Sequence, residues 1–232
     1  MDNIGQLYTS LGAEFVISQE QLHAKLKGIK AFVFDWDGVF NNGDKPARGS
    51  SHFSEVDSMG TNLLRFSHYL HHGELPLTAI ISGEKNETAF YFCERECFHY
   101  SFFKISNKAE ALQFLCEKEK LQPAQVAYVF DDVLDLPIAE RCGLRILVNQ
   151  KANPQFKAYC KEKGLADYIT AHAGGQFAVR EATELLTGLN GNFNQVITHR
   201  KDFSPAYAEY IAQRREIKPE FYTLKENGIE KT

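Results

Sequence analysis

The sequence predicts an α/β fold in which helices cover both faces of a mostly parallel β-sheet. Apolar runs of four to six residues recur along the 232-residue chain, and a longer stretch with helical spacing follows each of them. Such runs are typical of strands buried on both faces, and their alternation with helices is typical of a parallel sheet. A hydrophobic content of 44% allows a chain of this length to bury one full core. We therefore expect one sizeable domain with decorated ends.

Six strands and six helices are predicted in alternation. The strands are expected where the apolar runs lie, at residues 31–34, 77–81, 98–103, 125–130, 144–148 and 166–169. The helices are expected where apolar residues recur at helical intervals, at residues 55–72, 84–97, 107–119, 135–142, 153–163 and 175–187.

The two ends of the chain differ from this pattern. Ser18 and Gln21 have capping-box spacing, which predicts a short helix before the first strand. After residue 190 the strand signal is lost, and one helix is predicted from Pro205 to Arg215. We therefore expect an N-terminal helical extension over residues 1–28, a main domain over 29–190 and a C-terminal extension over 191–232.

Composition and charge exclude several classes of partner. The formal net charge is -4, without the broad basic face that nucleic acid binding requires, so no nucleic acid partner is expected. Neither a signal peptide nor an apolar stretch long enough for a membrane span is visible, so we expect a soluble cytoplasmic protein without a membrane partner. The five cysteines are an odd number, which favours reduced thiols.

An acidic motif follows the first predicted strand directly. Asp35 and Asp37 are two residues apart, so in extended geometry both face one site at the carboxyl end of the sheet, and Gly38 permits a sharp exit. Two neighbouring carboxylates repel each other unless a cation or a proton intervenes, which indicates a divalent metal. Asp-x-Asp-Gly is also common in solvated turns, so the motif alone leaves both interpretations open.

Polar residues also follow other predicted strands. Ser82, Gly83 and Glu84 follow the second strand, Lys108 opens a helix after the third, and Asp131, Asp132 and Asp135 follow the fourth. A parallel sheet would gather them along one edge. Singly, Ser82 could be a helix cap, Lys108 a solvated charge and the aspartates a favourable start of a helix. Together, they predict a site.

In this order and at these strand ends, the residues resemble the four motifs of the haloacid-dehalogenase-like (HAD) phosphatases. The resemblance covers roughly residues 29–197. It is strongest to the capless branch that includes 3-deoxy-D-manno-octulosonate 8-phosphate phosphatase and nonulosonate 9-phosphate phosphatase. Further matching stretches lie at residues 53–64, 131–137 and 174–181.

The resemblance implies a phosphoric monoester hydrolase that uses Mg²⁺ and a small phosphorylated substrate, a sugar or a sugar acid. It implies that Asp35 attacks phosphorus to form an aspartyl-phosphate and that Asp37 acts as general acid and base. Ser82 would hydrogen-bond a phosphoryl oxygen, and Lys108 would offset negative charge. The implied metal ligands are the Asp35 carboxylate, the Asp37 main-chain carbonyl and Asp131. The implied supporting residues are Asp132, Asp135, Gly83 and Glu84.

The resemblance also implies a Rossmann-like HAD fold with a small flap near residues 39–55, no large cap domain, and a homotetramer. In relatives, a Gly-Gly-Arg-Gly tail enters the site of a neighbouring subunit. Here it reads Gly174-Gly175-Gln176-Phe177, and the glycines could equally form a loop before the next helix.

Three residues depart from the family pattern. Gln176 replaces the arginine of the tail, Glu84 replaces an arginine near the substrate, and Phe130 replaces a glycine, where it would crowd the metal site.

Two alternatives remain open at this stage. A phosphoacceptor receiver module also gathers aspartates and a lysine at strand ends, but it places the acidic pair before the phosphoacceptor, whereas here Asp131 and Asp132 come last. A catalytically weak or silent relative that serves as a binding or regulatory module would retain the fold without turnover. Release of phosphate from an aryl ester with magnesium would separate these possibilities.

Overall fold

Helices cover both faces of a nine-stranded sheet in the part of the chain that the structure describes, residues 4–45 and 51–232 of a computed structural model. The strands are β1 (Glu14–Phe15), β2 (Ala31–Phe34), β3 (Leu77–Ile81), β4 (Tyr100–Phe103), β5 (Val126–Phe130), β6 (Leu144–Leu147), β7 (Tyr168–Ile169), β8 (Glu220–Lys225) and β9 (Gly228–Lys231). Their order is β1-β7-β6-β5-β2-β3-β4-β8-β9, with antiparallel pairing at the two edges and parallel pairing elsewhere. The predicted mostly parallel fold is confirmed.

The helices of the described residues alternate with these strands over most of the chain. They are α1 (Ile4–Ser10), α2 (Gln19–Leu26), α3 (Glu55–His72), α4 (Glu87–Glu96), α5 (Lys108–Glu119), α6 (Leu136–Ala139), α7 (Pro154–Glu162), α8 (Ala178–Leu189), α9 (Phe193–Lys201) and α10 (Pro205–Glu216). The predicted capping box is confirmed at α2, where Ser18 and Gln21 bond reciprocally. Helix α8 begins later than predicted because Phe177 before it has a left-handed backbone with φ of 71°.

The prediction that no strand follows residue 190 is wrong. Strand β8 pairs in parallel with β4, and β9 returns beside it, so the C-terminal segment widens the central sheet. Tyr222 stacks on Phe102 at 5.4 Å between ring centroids, whereas Phe221 packs against Phe90 at 5.1 Å. Two adjacent aromatic residues in a short run bounded by charged ones gave too weak an apolar signal to predict β8. The division into a main domain and two extensions stays a prediction.

Two hydrophobic cores lie on opposite faces of the sheet. Phe32 and Phe34 of β2 belong to the core beneath α2, α3, α4 and α8, whereas Ala31 and Val33 belong to the core beneath α5, α6 and α7. This alternation follows from the two-residue period of a strand. Because β2, β3 and β5 run in parallel, their carboxyl ends meet at one edge of the sheet.

The segment from residue 35 to residue 54 joins β2 to α3, and its described residues form turns and loops. It contains most of the flap predicted at residues 39–55, of which residues 46–50 lie outside the described residues. Across the described ranges, no helix is long and apolar enough to cross a membrane. All five cysteines are free thiols, and four of them are buried.

Candidate active site

Asp35 is held at the end of β2 by the sheet itself. Its amide donates to the carbonyl of Val129 at 2.9 Å, which continues the ladder with β5. The extended geometry predicted through Asp37 is wrong, because a turn begins at Trp36, whose carbonyl accepts from the amides of Val39 and Phe40 at 3.3 and 3.0 Å. Gly38 has φ of +83°, as its predicted role in a sharp exit requires.

Three aspartates meet at this edge of the sheet. Carboxylate oxygens of Asp35, Asp131 and Asp135 lie within 4.8 Å of one another, and these residues are 6%, 9% and 1% exposed. Burial, followed by the charge of neighbouring carboxylates, raises the pKa of Asp35 and of Asp131. Such a cluster requires positive charge nearby to remain ionised.

Lys108 brings one positive charge into the cluster. It is the first residue of α5, and its ammonium lies 2.7 Å from Asp35 Oδ1 and 2.6 Å from Asp135 Oδ1. Burial by itself lowers the pKa of Lys108, but the two carboxylates outweigh this effect and raise the pKa. One ammonium among three carboxylates leaves an excess of negative charge, which suits a divalent cation bound by oxygen.

Gln150 was not singled out from the sequence, but it touches two parts of the site. Its side-chain amide donates to Asp131 Oδ2 at 3.1 Å and to the Gly38 carbonyl at 2.8 Å. A Cβ at position 38 would lie 2.0 Å from Asp131 Oδ2, so the close approach of this carboxylate also requires glycine there. No local motif could have predicted Gln150, because it follows β6 in a stretch without periodic or acidic signal.

Asp135 is engaged by three donors. The Lys108 ammonium and the Tyr128 hydroxyl, at 2.5 Å, donate to Oδ1, and the amide of Asp132 donates to Oδ2 at 3.3 Å. Asp132 itself is exposed, and its carboxylate accepts from the amide of Val133 at 2.7 Å. The ring of Phe130 is buried in the core and stacks on Tyr128 at 5.7 Å, and the crowding of the metal site by Phe130 stays a prediction.

Ser82 lies at the end of β3 and is 3% exposed. Its amide donates to the carbonyl of Phe102 at 2.9 Å, and its hydroxyl oxygen accepts from the amide of Glu84 at 3.3 Å. Glu84 is exposed, and Gly83 between them is partly buried. The structure thus places Ser82 at the same sheet edge as Asp35, with Glu84 turned towards solvent.

The carboxylate of Asp37 has different partners from the three clustered aspartates. Its Oδ1 accepts from the Ser51 hydroxyl at 2.7 Å, and its Oδ2 lies 3.0 Å from the Lys45 ammonium. Ser51 in turn accepts from the side-chain amide of Asn86 at 2.8 Å. Sequence reasoning missed these contacts because they join three separate segments of the chain.

A cavity of about 760 Å³ opens beside Lys45 and Ser51. Its lining combines polar side chains with two phenylalanines and two glycines and comprises Phe40, Asn41, Asn42, Asp44, Lys45, Ser51, His52, Phe53, Ser54, Gly174, Gly175 and Gln176. The glycines form a loop before α8, one of the two interpretations given above. Glu181 holds this loop by accepting from the amides of Ala171 and His172 at 2.8 and 2.9 Å.

A Gly174→Ala substitution is expected to destabilise the protein. A Cβ there would lie 2.0 Å from the Gly38 carbonyl oxygen and 2.4 Å from that of Asn41, so backbone must shift at a cost of about 1–3 kcal/mol. Urea denaturation measures this loss. Gly28→Ala is the matched control, because its nearest contact would be an ordinary 3.6 Å, and an equal effect of the two substitutions would contradict the close packing.

Comparison with known proteins gave clear relatives, although no family model matches the chain. A 3-deoxy-D-manno-octulosonate 8-phosphate phosphatase of Escherichia coli strain K12 is 32% identical over 178 residues, which cover 74% of this chain and 86% of the relative. A probable YrbI-family phosphatase from Pseudomonas syringae, whose crystal structure is known, is 31% identical in sequence. Its structure matches this one with a TM-score of 0.65, over 80% of this chain and 98% of the other.

A third relative shows the likeness of fold. It is the 3-deoxy-D-manno-octulosonate 8-phosphate phosphatase of Moraxella catarrhalis, whose structure holds a magnesium ion, a phosphate ion and a KDO molecule. It is 24% identical with a TM-score of 0.65, over 78% of this chain and 98% of the other.

Proposed function

The chain belongs to the 3-deoxy-D-manno-octulosonate 8-phosphate phosphatase family of HAD-like phosphoric monoester hydrolases, and from this we propose that it hydrolyses a small sugar or sugar-acid phosphate with Mg²⁺ through an aspartyl-phosphate on Asp35. The contact of Lys108 with Asp35 beside Asp131 is the observation that carries this proposal. Family membership also sets aside the alternative of a receiver module.

The residues at the sheet edge fit a magnesium ion. The Asp35 and Asp131 carboxylates and the Asp37 main-chain carbonyl would hold it, while Asp135, already engaged by three donors, would support them. The ion supplies charge that allows a carboxylate to approach a phosphoryl group. The structure of the Moraxella catarrhalis relative contains a magnesium ion, which supports Mg²⁺ as the cofactor.

The chain's own residues then carry two displacements. A carboxylate oxygen of Asp35 attacks phosphorus, and the bond from phosphorus to the leaving alcohol breaks as Asp37 donates a proton to the alcohol oxygen. Asp37 next takes a proton from a water molecule, which attacks phosphorus, releases inorganic phosphate and restores the Asp35 carboxylate. Lys108 offsets charge on Asp35, and Ser82 hydrogen-bonds a phosphoryl oxygen.

The proposed substrate class rests on the relatives and on the cavity. The Escherichia coli relative is named for a phosphorylated sugar acid, and the cavity beside Asp37 offers amide and hydroxyl groups suited to a polyhydroxy compound. We also propose a cytoplasmic homotetramer. Its support is the resemblance to capless phosphatases and the free thiols. A monomeric mass by light scattering would contradict the tetramer.

Phosphate release from a panel of phosphorylated sugars and sugar acids tests the proposed function. With Mg²⁺ we expect turnover of at least one compound, and with excess chelator we expect it to fall to background, because the clustered carboxylates then lack a counter-charge. Restoring Mg²⁺ should restore turnover. Absence of turnover with every sugar phosphate and with an aryl phosphate would favour the silent binding module instead.

A further inference from the structure

A buried hydrogen-bond chain connects Asp37 to the beginning of helix α4. The side-chain amide nitrogen of Asn86 donates to Ser51 Oγ at 2.8 Å, and Ser51 Oγ donates to Asp37 Oδ1 at 2.7 Å. Asn86 is 6% exposed and Ser51 is 7% exposed. Because both side chains are buried, the fold and not solvent fixes the positions of these hydrogen-bonding groups.

The direction of each hydrogen bond is fixed by chemistry. The nitrogen of the Asn86 amide can only donate, so Ser51 Oγ accepts from it and has its single proton left for Asp37. The Asn86 amide is itself oriented, because its oxygen accepts from the amides of Thr88 and Ala89 at 3.0 and 3.4 Å as the N-cap of α4.

The two oxygens of Asp37 therefore differ. Oδ1 is held by the buried chain through Ser51, whereas Oδ2 lies 3.0 Å from Lys45, whose side chain is 55% exposed and can move away. Lys45 and Ser51 both line the cavity, so the two oxygens differ in how firmly their partners are held and not in which of them borders the cavity. Asp37 Oδ2 is thus the oxygen that can contact a substrate when Lys45 moves away.

We propose that Ser51 and Asn86 are positioning residues that fix Asp37 Oδ1, so that Oδ2 delivers the proton to the leaving alcohol. This rests on the proposed function, in which Asp37 is the general acid. Without Ser51 the carboxyl group can rotate, and the proton no longer lies on the line to the alcohol oxygen. The loss should therefore depend on how much the leaving group needs a proton.

Two substrates with different leaving groups distinguish this role from a structural one. A sugar phosphate must be protonated as its alcohol leaves, whereas p-nitrophenyl phosphate expels a stable anion that needs little help. For Ser51→Ala we expect kcat/KM to fall by about tenfold or more with the sugar phosphate and by less than about twofold with the aryl ester, since general acid catalysis contributes on the order of 10²–10⁴-fold.

Further variants keep the test decisive. Asn86→Ser retains a capping oxygen for α4, but the serine side chain is too short to reach Ser51, so this variant should show the same selective loss. Ser51→Thr retains the hydroxyl and should keep the sugar-phosphate rate of the wild type. Ser10→Ala is the matched control, because its hydroxyl donates to the Leu7 carbonyl of its own helix on an exposed surface.

Each outcome separates the proposals. An equal fall with both substrates, or no fall with either, would overturn the role of Ser51 and Asn86. A wild-type protein that releases phosphate from neither substrate would overturn the proposed function itself.

Discussion

An Asp35→Asn variant is expected to lose turnover by at least about 10⁴-fold, because an amide cannot replace the carboxylate as a nucleophile. We expect neither neighbouring carboxylate to act as nucleophile in place of Asp35. Asp135 already accepts three hydrogen bonds, and Asp131 accepts one from Gln150. Steady-state phosphate release with Mg²⁺ measures the loss. Acid quenching during a single turnover should trap phosphate on the wild-type chain and none on the variant.

The loss should not reflect unfolding. Asp35 is a buried acid whose pKa is raised, so the folded state binds its proton more tightly than the unfolded state does. Its ionisation therefore costs stability as the pH rises through and above the usual carboxyl range. The neutral amide removes that cost, and without Mg²⁺ near pH 7 the variant should be at least as stable as the wild type.

Asp202→Asn is the control for the chemical change itself, because Asp202 is 54% exposed in a surface ion pair with Lys201. Wild-type turnover is expected for it. A normal rate or a trapped phosphate in Asp35→Asn would rule out the proposed nucleophile.

The meeting of Asp35, Lys108 and Asp131 could be predicted because parallel strands bring their carboxyl ends to one edge. That prediction needed only the strand order and the residues after each strand. Contacts between distant segments could not be predicted. Gln150 reaches Asp131 across the turn at Gly38, and Asn86 reaches Asp37 through Ser51, and neither contact has a spacing or periodicity that marks it.

Local geometry was also hidden from the pattern. The alternation of side chains holds along β2 and ends at Trp36, where the turn begins. The separation of Asp37 from the carboxylate cluster therefore could not be predicted from the sequence. Strand β8 was missed because Glu220 and Lys225 bound a short run with only two central aromatic residues.

Replacing Lys108 by methionine is expected to lower both activity and stability. Methionine keeps much of the length and volume of lysine but removes the ammonium that contacts Asp35 and Asp135. Loss of charge stabilisation of this kind costs about 10²–10³-fold in kcat. Breaking a buried ion pair from one side costs about 3–5 kcal/mol, because the remaining carboxylates keep their desolvation penalty.

Urea denaturation near pH 7 without Mg²⁺ measures the loss of stability, and Lys201→Met is the matched control. The Lys201 side chain is 71% exposed, so its replacement should change the free energy of unfolding by less than about 1 kcal/mol. Equal stability and equal turnover of Lys108→Met and the wild type would contradict the role of Lys108.

Magnesium separates the two effects of Lys108. Saturating Mg²⁺ should return much of the lost stability, since a bound cation supplies charge to Asp35 and Asp131 and stabilises the folded state by mass action. Mg²⁺ should not restore turnover. The Lys108 ammonium lies between Asp35 Oδ1 and Asp135 Oδ1, and a cation bound by Asp35 and Asp131 cannot also occupy that place. Recovery of both quantities together would mean that Lys108 serves only to balance charge.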